Sequence, residues 1–279
     1  MSYPAWLAGI SLAFALLERA RPRYSAQRVL RRGVVRDLLY VVWNGHFLAV
    51  VLALAANPLA AIVDQLAFDH LGMDLHRAVA AGWAPALQFG VGLVAMDFAQ
   101  WCIHNLLHRV PLLWRFHKVH HSVEEMGFAA HLRYHWMENV VYTPMKYIAV
   151  MLIGGFTPEQ AYIVFYAAIA IGHLNHANVH ITWGPLKYIF NNPVMHLWHH
   201  VYALPEGRKH GINFGISLSL WDYLFRTAEI PKDDAHIKLG FPGMEQFPQD
   251  FIHQNMYGFR GENGASETAP KAPQGMRPA

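Results

Sequence analysis

Fourteen of the chain's nineteen histidines lie between His104 and His210, and ten of them fall in four tight clusters. His104 and His108 read HxxxH. His117, His120 and His121 read HxxHH. His176 and His180 repeat the first pattern, and His196, His199 and His200 repeat the second. Positions i, i+3 and i+4 share one face of a helix, so each cluster can aim two or three imidazoles at a single point. Ten neutral nitrogen donors are too many for one metal ion and suit two.

Neutral imidazole binds zinc, copper, iron and nickel. A thiolate zinc or iron–sulfur site is excluded, because the chain has a single cysteine, Cys102. A hydrolytic zinc site takes three protein ligands and a water, which this count exceeds. The Glu-x-x-His motifs of soluble di-iron bundles are absent. Two iron ions, each held by about five imidazoles, fit the number of donors. Zinc can replace iron in purified protein, since it binds such sites more strongly than ferrous iron.

The elements that must position these histidines are apolar. Of the 279 residues, 54% are hydrophobic and 15% charged, below the roughly 25% charge of a soluble domain. The net charge of +3 and the scattered basic residues give no nucleic-acid signature. Apolar stretches run over 3–18, 37–57, 83–103, 142–156 and 159–175. The second and third reach the roughly 20 residues of a membrane span. The last two form a hairpin around the GGFTPE turn at 154–159, and whether it crosses the bilayer is left open. Arg19, Arg21, Arg23, Arg28, Arg31, Arg32 and Arg36 follow the first stretch, whereas Asp64, Asp69 and Asp74 follow the second. The positive-inside rule puts the arginine loop in the cytoplasm, and counting onward places all four histidine clusters on that face. The expected fold class is all-α: a polytopic, multi-pass membrane helical bundle with a cytoplasmic histidine-rich helical cap holding a di-metal site. Residues 1–82 would form N-terminal transmembrane helices and connecting loops. The part after about 182 would be compact and cytoplasmic, and 258–279, rich in Gly, Ala, Pro and Glu, a disordered tail.

The runs HNLLHRVPLLWRFHKVHHS at 104–122, NPVMHLWHH at 192–200, and NFG with WDYLF within 213–225 resemble the sterol desaturase/fatty acid hydroxylase superfamily. The likeness covers roughly residues 85–228. It implies an integral-membrane, di-iron, oxygen-dependent catalytic domain over 83–257, with the ten clustered histidines as metal ligands. The RYHWME stretch at 133–138 is similar to a family segment that usually carries proline where Trp136 stands. Gly211 and the Phe225–Arg226–Thr227 segment are further departures.

Asp97, His135, His173, Asn213 and Asp222 are candidates for holding the ligand rings from behind. An interfacial position for Asp97, and turn or capping duty for Asn213 and Asp222, are the alternatives. The expected activity is hydroxylation or desaturation of an unactivated C–H bond of a lipid, sterol or fatty acyl/alkyl, with dioxygen as co-substrate. The sequence contains no haem domain or nucleotide motif. Electrons would come from an external donor such as cytochrome b5 or a ferredoxin with its reductase. A histidine-rich metal transporter and a metallohydrolase are the competing readings.

Overall fold

The computed structural model describes residues 3–72, 82–142, 158–231 and 237–259. Among these the chain is helical, with isolated β-bridges and no strand. The N-terminal part comprises α1 (Tyr3–Ala20), α2 (Val34–Val42), a π-helical turn (Trp43–Leu48) and α3 (Ala49–Leu71). Next come α4 (Pro85–Arg109), α5 (Pro111–His121), a 3-10 turn (Phe128–Leu132) and a helix, α6, over 136–142. Then follow α7 (Pro158–His176), α8 (Pro193–His199), α9 (Leu220–Leu224) and α10 (Phe251–Asn255). Most of the 142–156 stretch, the hairpin turn and the tail beyond 259 lie outside the described residues.

One dipeptide sets the geometry of the first two clusters. Val110 precedes Pro111, and a residue before proline is driven out of the helical region. Val110 accordingly sits at φ −94, ψ 115, ending α4, while Pro111 opens α5, where its missing N–H costs nothing. The chain folds back at this point and α5 packs on the end of α4. A similar start serves α8. The Asn192 side chain accepts from the Met195 N–H at 3.0 Å and Pro193 follows at the first helical position.

Helix α4 is 25 residues long, roughly 37 Å, and among the described residues it is the one helix long and apolar enough to cross a membrane. The predicted span over 37–57 takes a different form. It straddles α2, the π-helical turn and the start of α3. Its first residue, Asp37, is fully buried and pairs with Arg31 at 2.6 Å and Arg133 at 3.2 Å. Helix α1 packs on α7 and on the 3-10 turn, with Leu7, Val41, Ala129, Leu132 and Ile169 forming a common core. Tyr40 of α2 lies against Phe251 of α10, ring centroids 4.8 Å apart.

Candidate metal centre

Nine of the ten clustered histidines converge in two groups. His104, His108, His117, His121 and His199 form one; His120, His176, His196 and His200 form the other. Within each group the donor nitrogens lie within 4.8 Å of one another. Ligands about 2.0–2.1 Å from a common ion can be at most about 4.2 Å apart, so modest tightening suffices. The groups adjoin: the His121 and His200 rings are 4.4 Å apart, centroid to centroid. Helix periodicity divides each HxxHH motif between them. On α5, His117 and His121 serve the first group and His120 the second; at α8 the assignment is reversed, with His196 and His200 in the second and His199 in the first.

His180 does not join either group. The expectation that it would share a face with His176 assumed a continuous helix, but α7 ends at His176. The chain bends at 177–178, and Val179 is bridged to Pro22. His180 is exposed, and its Nδ1 lies 3.1 Å from the Arg23 guanidinium.

The ring orientations fit metal binding. His104 Nδ1 donates to the Phe214 carbonyl at 2.8 Å, His120 Nδ1 to that of Arg133 at 3.0 Å, His176 Nδ1 to that of Gly172 at 2.8 Å, and His199 Nδ1 to that of Ile212 at 2.8 Å. His117 Nδ1 donates to the Glu138 carboxylate at 2.9 Å. A carbonyl only accepts, so in these neutral rings the proton sits on Nδ1 and the Nε2 lone pair faces inward. In the first group the buried Nε2 atoms of His108, His117, His121 and His199 have no hydrogen-bond partner. In the second, His120 and His176 bring their Nε2 atoms within 3.3 Å of each other, and His176 and His196 within 2.9 Å. The Nδ1 protons of His120 and His176 are held by carbonyls, so in that pair two bare lone pairs face and repel each other. A shared cation is the partner that suits both arrangements.

Electrostatics agree. Burial pushes His117, His121, His196, His199 and His200 well below the ordinary imidazole value, and His120 down to about 3. All six are therefore neutral donors at physiological pH. Burial also drives the Glu138 carboxyl well above its usual range. A positive ion held across the His117 ring would supply the counter-charge that a carboxylate at this depth needs.

The residues expected behind the ligands act at one remove. Asn213 is fully buried with φ +54, a left-handed backbone that few side chains tolerate. Its amide donates to the carbonyls of Met195 at 3.0 Å and Glu229 at 2.7 Å. Its two neighbours are Ile212 and Phe214, whose carbonyls take the protons of His199 and His104. Asp222 accepts from the N–H groups of Phe214 at 2.9 Å and Gly215 at 2.7 Å, and from Trp101 at 3.0 Å. Asp97 touches no ligand ring; it accepts from Ser217, Leu218 and Trp221 and so pins the same loop. The His135 ring faces away, bonded to the Asn255 carbonyl at 2.7 Å, while its backbone N–H holds Glu138 at 3.2 Å. His173 lies behind the second group, between Ser11 Oγ at 3.1 Å and His131 Nδ1 at 3.0 Å. That packing needs Gly172, since a Cβ there would come within 2.0 Å of the His131 ring.

Glu138 and Arg133 were not among the expected site residues. Both lie in RYHWME, but no helical spacing ties them to the clusters. Arg133 is wholly buried, and its guanidinium donates to the Ser122 carbonyl at 2.8 Å and to Asp37 at 3.2 Å.

Comparison with known proteins covers this part of the chain. The fatty acid hydroxylase family model matches residues 89–227, which include every histidine of the two groups. An ornithine lipid hydroxylase of Rhizobium tropici is 35% identical over 161 residues, 58% of this chain and 47% of that protein. The alkylglycerol monooxygenase of Homo sapiens is 27% identical over 153 residues, 53% of this chain and 32% of its own. A very-long-chain aldehyde decarbonylase of Oryza sativa subsp. japonica is 24% identical over 173 residues, 57% and 25% of the two chains. The matched region thus spans less than half of each of these relatives. No solved structure matches the chain significantly. With its histidine groups inside the matched region, the chain belongs to the sterol desaturase/fatty acid hydroxylase superfamily.

Proposed function

We propose that the chain is an integral-membrane di-iron oxygenase that hydroxylates a hydrocarbon position of an acyl or alkyl lipid, with dioxygen as co-substrate and electrons from an external donor. The observation that carries this reading is the pair of all-nitrogen groups, five imidazoles beside four, buried against each other. Hydroxylation is favoured over desaturation by relatives named as a lipid hydroxylase and a monooxygenase. Two irons are favoured over one because neither group shares a ring with the other.

Bound iron would supply the activation of dioxygen and the removal of hydrogen from an unactivated C–H bond. The chain supplies the rest. His104, His108, His117, His121 and His199 would hold one ion, and His120, His176, His196 and His200 the other. Backbone carbonyls and Glu138 fix the tautomer of five of these rings, so their Nε2 lone pairs stay aimed inward. Burial excludes water, which would otherwise quench a strong oxidant. Neutral ligands leave the ions' positive charge largely uncompensated, which favours the reduced state at rest. A chain that crosses the bilayer at α4, with the centre on the cytoplasmic side, gives a lipid a direct route to these rings.

Lipid profiling by mass spectrometry tests the proposal, comparing cells that express the intact chain with cells that express His120→Ala. A lipid carrying one added oxygen atom, produced only with the intact chain and only in air, is the expected result. Turnover of an ester or amide without oxygen would replace this reading with metallohydrolase, and metal flux without lipid oxidation would replace it with transport.

A further inference from the structure

The exposed apolar surface of the chain does not end with α4. Two stretches of the C-terminal half, the 3-10 turn Gly184–Tyr188 with the residues after it and the short helix α9, turn large apolar side chains outward. Leu186 is 53% exposed, Phe190 46%, Leu224 64% and Phe225 49%. They belong to one surface. Phe190 bridges to Leu218, the Ser219 N–H donates to the Ile189 carbonyl at 3.0 Å, and the Tyr188 and Tyr223 rings are 4.8 Å apart. The surface continues onto α4, where the Phe98 ring lies 4.7 Å from Trp221 and the Trp101 ring 4.7 Å from Phe225. On α4 itself, Phe98 shares a helix face with the exposed residues Val94 and Leu87. Scattered apolar residues on a surface are ordinary, but a patch this continuous marks an interaction site.

Its composition is that of a lipid headgroup boundary. Trp183, Tyr188, Trp221 and Tyr223 combine an apolar body with a polar tip. Lys187 is the single charged residue between 183 and 190, and its ammonium lies 5.3 Å from the Tyr188 ring centroid. The inner side of α9 differs. Asp222 is fully buried there and holds the loop whose Phe214 carbonyl orients His104.

The geometry points to the segments 184–190 and 220–225 as an in-plane membrane anchor. They lie at the headgroup–acyl boundary of the leaflet on the histidine side, beside α4, and the partner is the lipid bilayer itself. Continuity with the lipid-facing side of α4 selects the bilayer over a second protein. This anchor rests on α4 as a span, and it departs from the expectation of a wholly cytoplasmic C-terminal half. Through Asp222 it also ties the depth of the protein in the leaflet to the loop that holds two ligand rings.

Collision accessibility of nitroxide labels tests the anchor. The full chain, with Cys102→Ala as background, is placed in phosphatidylcholine/phosphatidylglycerol nanodiscs and labelled at Leu186→Cys or Leu224→Cys. Ile189→Cys and Leu220→Cys serve if a label disturbs folding, judged by retained metal. Leu87→Cys on α4 is the membrane reference and Glu206→Cys, on an exposed loop, the aqueous one. The expected result is that labels at 186 and 224 follow the one at 87: open to oxygen, and shielded several-fold from a water-soluble nickel chelate relative to 206. Labels as open to the chelate as 206 would overturn the anchor. So would labels shielded from both reagents, which would mean that a protein or a second copy covers the patch. A label at 87 open to the chelate would remove the span, and the anchor with it. None of these outcomes alters metal content or lipid oxidation, so failure here is distinct from failure of the proposed activity.

Discussion

Asp37 and Arg133 stand 96 residues apart in the chain, and their side chains meet at 3.2 Å in the buried interior. The backbone carbonyl of the same arginine takes the Nδ1 proton of His120 at 3.0 Å. An acidic residue of α2, outside the region matched by the family, therefore neutralises the residue that aims a ligand. Without Asp37, the buried guanidiniums of Arg31 and Arg133 would each lose the carboxylate they pair with. Removing one partner of such a network costs roughly 3–5 kcal/mol. Asp37→Ala is expected to lower the unfolding temperature and to deplete metal bound by the His120 group first. Thermal unfolding with metal analysis on purified protein checks this, and unchanged values for both would refute it.

His180 and His120 make a sharper pair. Both lie in clusters that look equivalent on paper, yet His120 is buried among three other imidazoles and His180 is exposed beside Arg23. His180→Ala should keep full metal content and activity. His120→Ala should lose metal and cut turnover by more than the roughly 10–100-fold typical of losing a ligand's supporting partner. Equal losses in the two variants would return His180 to the ligand set.

Asn213 does two jobs, and two substitutions separate them. Asn213→Gly keeps access to the left-handed backbone and loses only the side-chain hydrogen bonds. Asn213→Ala loses the bonds and also bears the left-handed strain of roughly 1–2 kcal/mol. The alanine variant is expected to be the less stable by about that amount, with the larger loss of metal, since both flanking carbonyls orient ligand rings. A glycine variant as damaged as the alanine one would show that backbone strain is not part of the design.

How much of this was legible beforehand depends on the range of the contact. His104 with His108, and His117 with His120 and His121, are helical neighbours, and the Val110–Pro111 pair marks the turn between them. Sequence spacing therefore exposes their convergence. His180 was misread because nothing local announces that α7 stops at His176; the stop comes with the bridge from Val179 to Pro22. Glu138 and Asp37 were invisible for a related reason. Their partners lie 21 and 96 residues away, and a single carboxylate carries no periodicity.

Acid should destabilise the metal-free protein. Folded His120 has its value pushed from 6.5 down to about 3, and His121 and His200 are depressed in the same direction. Below about pH 6.5 the unfolded chain therefore binds protons that the folded chain refuses, and stability falls as pH falls. The loss is about 1.4 kcal/mol per pH unit for each ring that protonates only when unfolded. Stability should drop steeply from pH 6.5 toward 5, because the several depressed rings outweigh the single Glu138 carboxyl, whose raised value acts in the opposite sense. Unfolding curves of the metal-free chain across this range check the sign; a profile flat from 7.5 to 5 would contradict burial of the rings.

The central claim is that two neighbouring groups of imidazoles hold two ions. Iron titration of the anaerobic, metal-free full chain, with X-ray absorption at the iron edge, addresses it most directly. Saturation at two irons per chain with nitrogen-dominated ligation is expected, falling toward one in His120→Ala. Saturation at one iron in the intact chain, or ligation dominated by carboxylate oxygen, would contradict it.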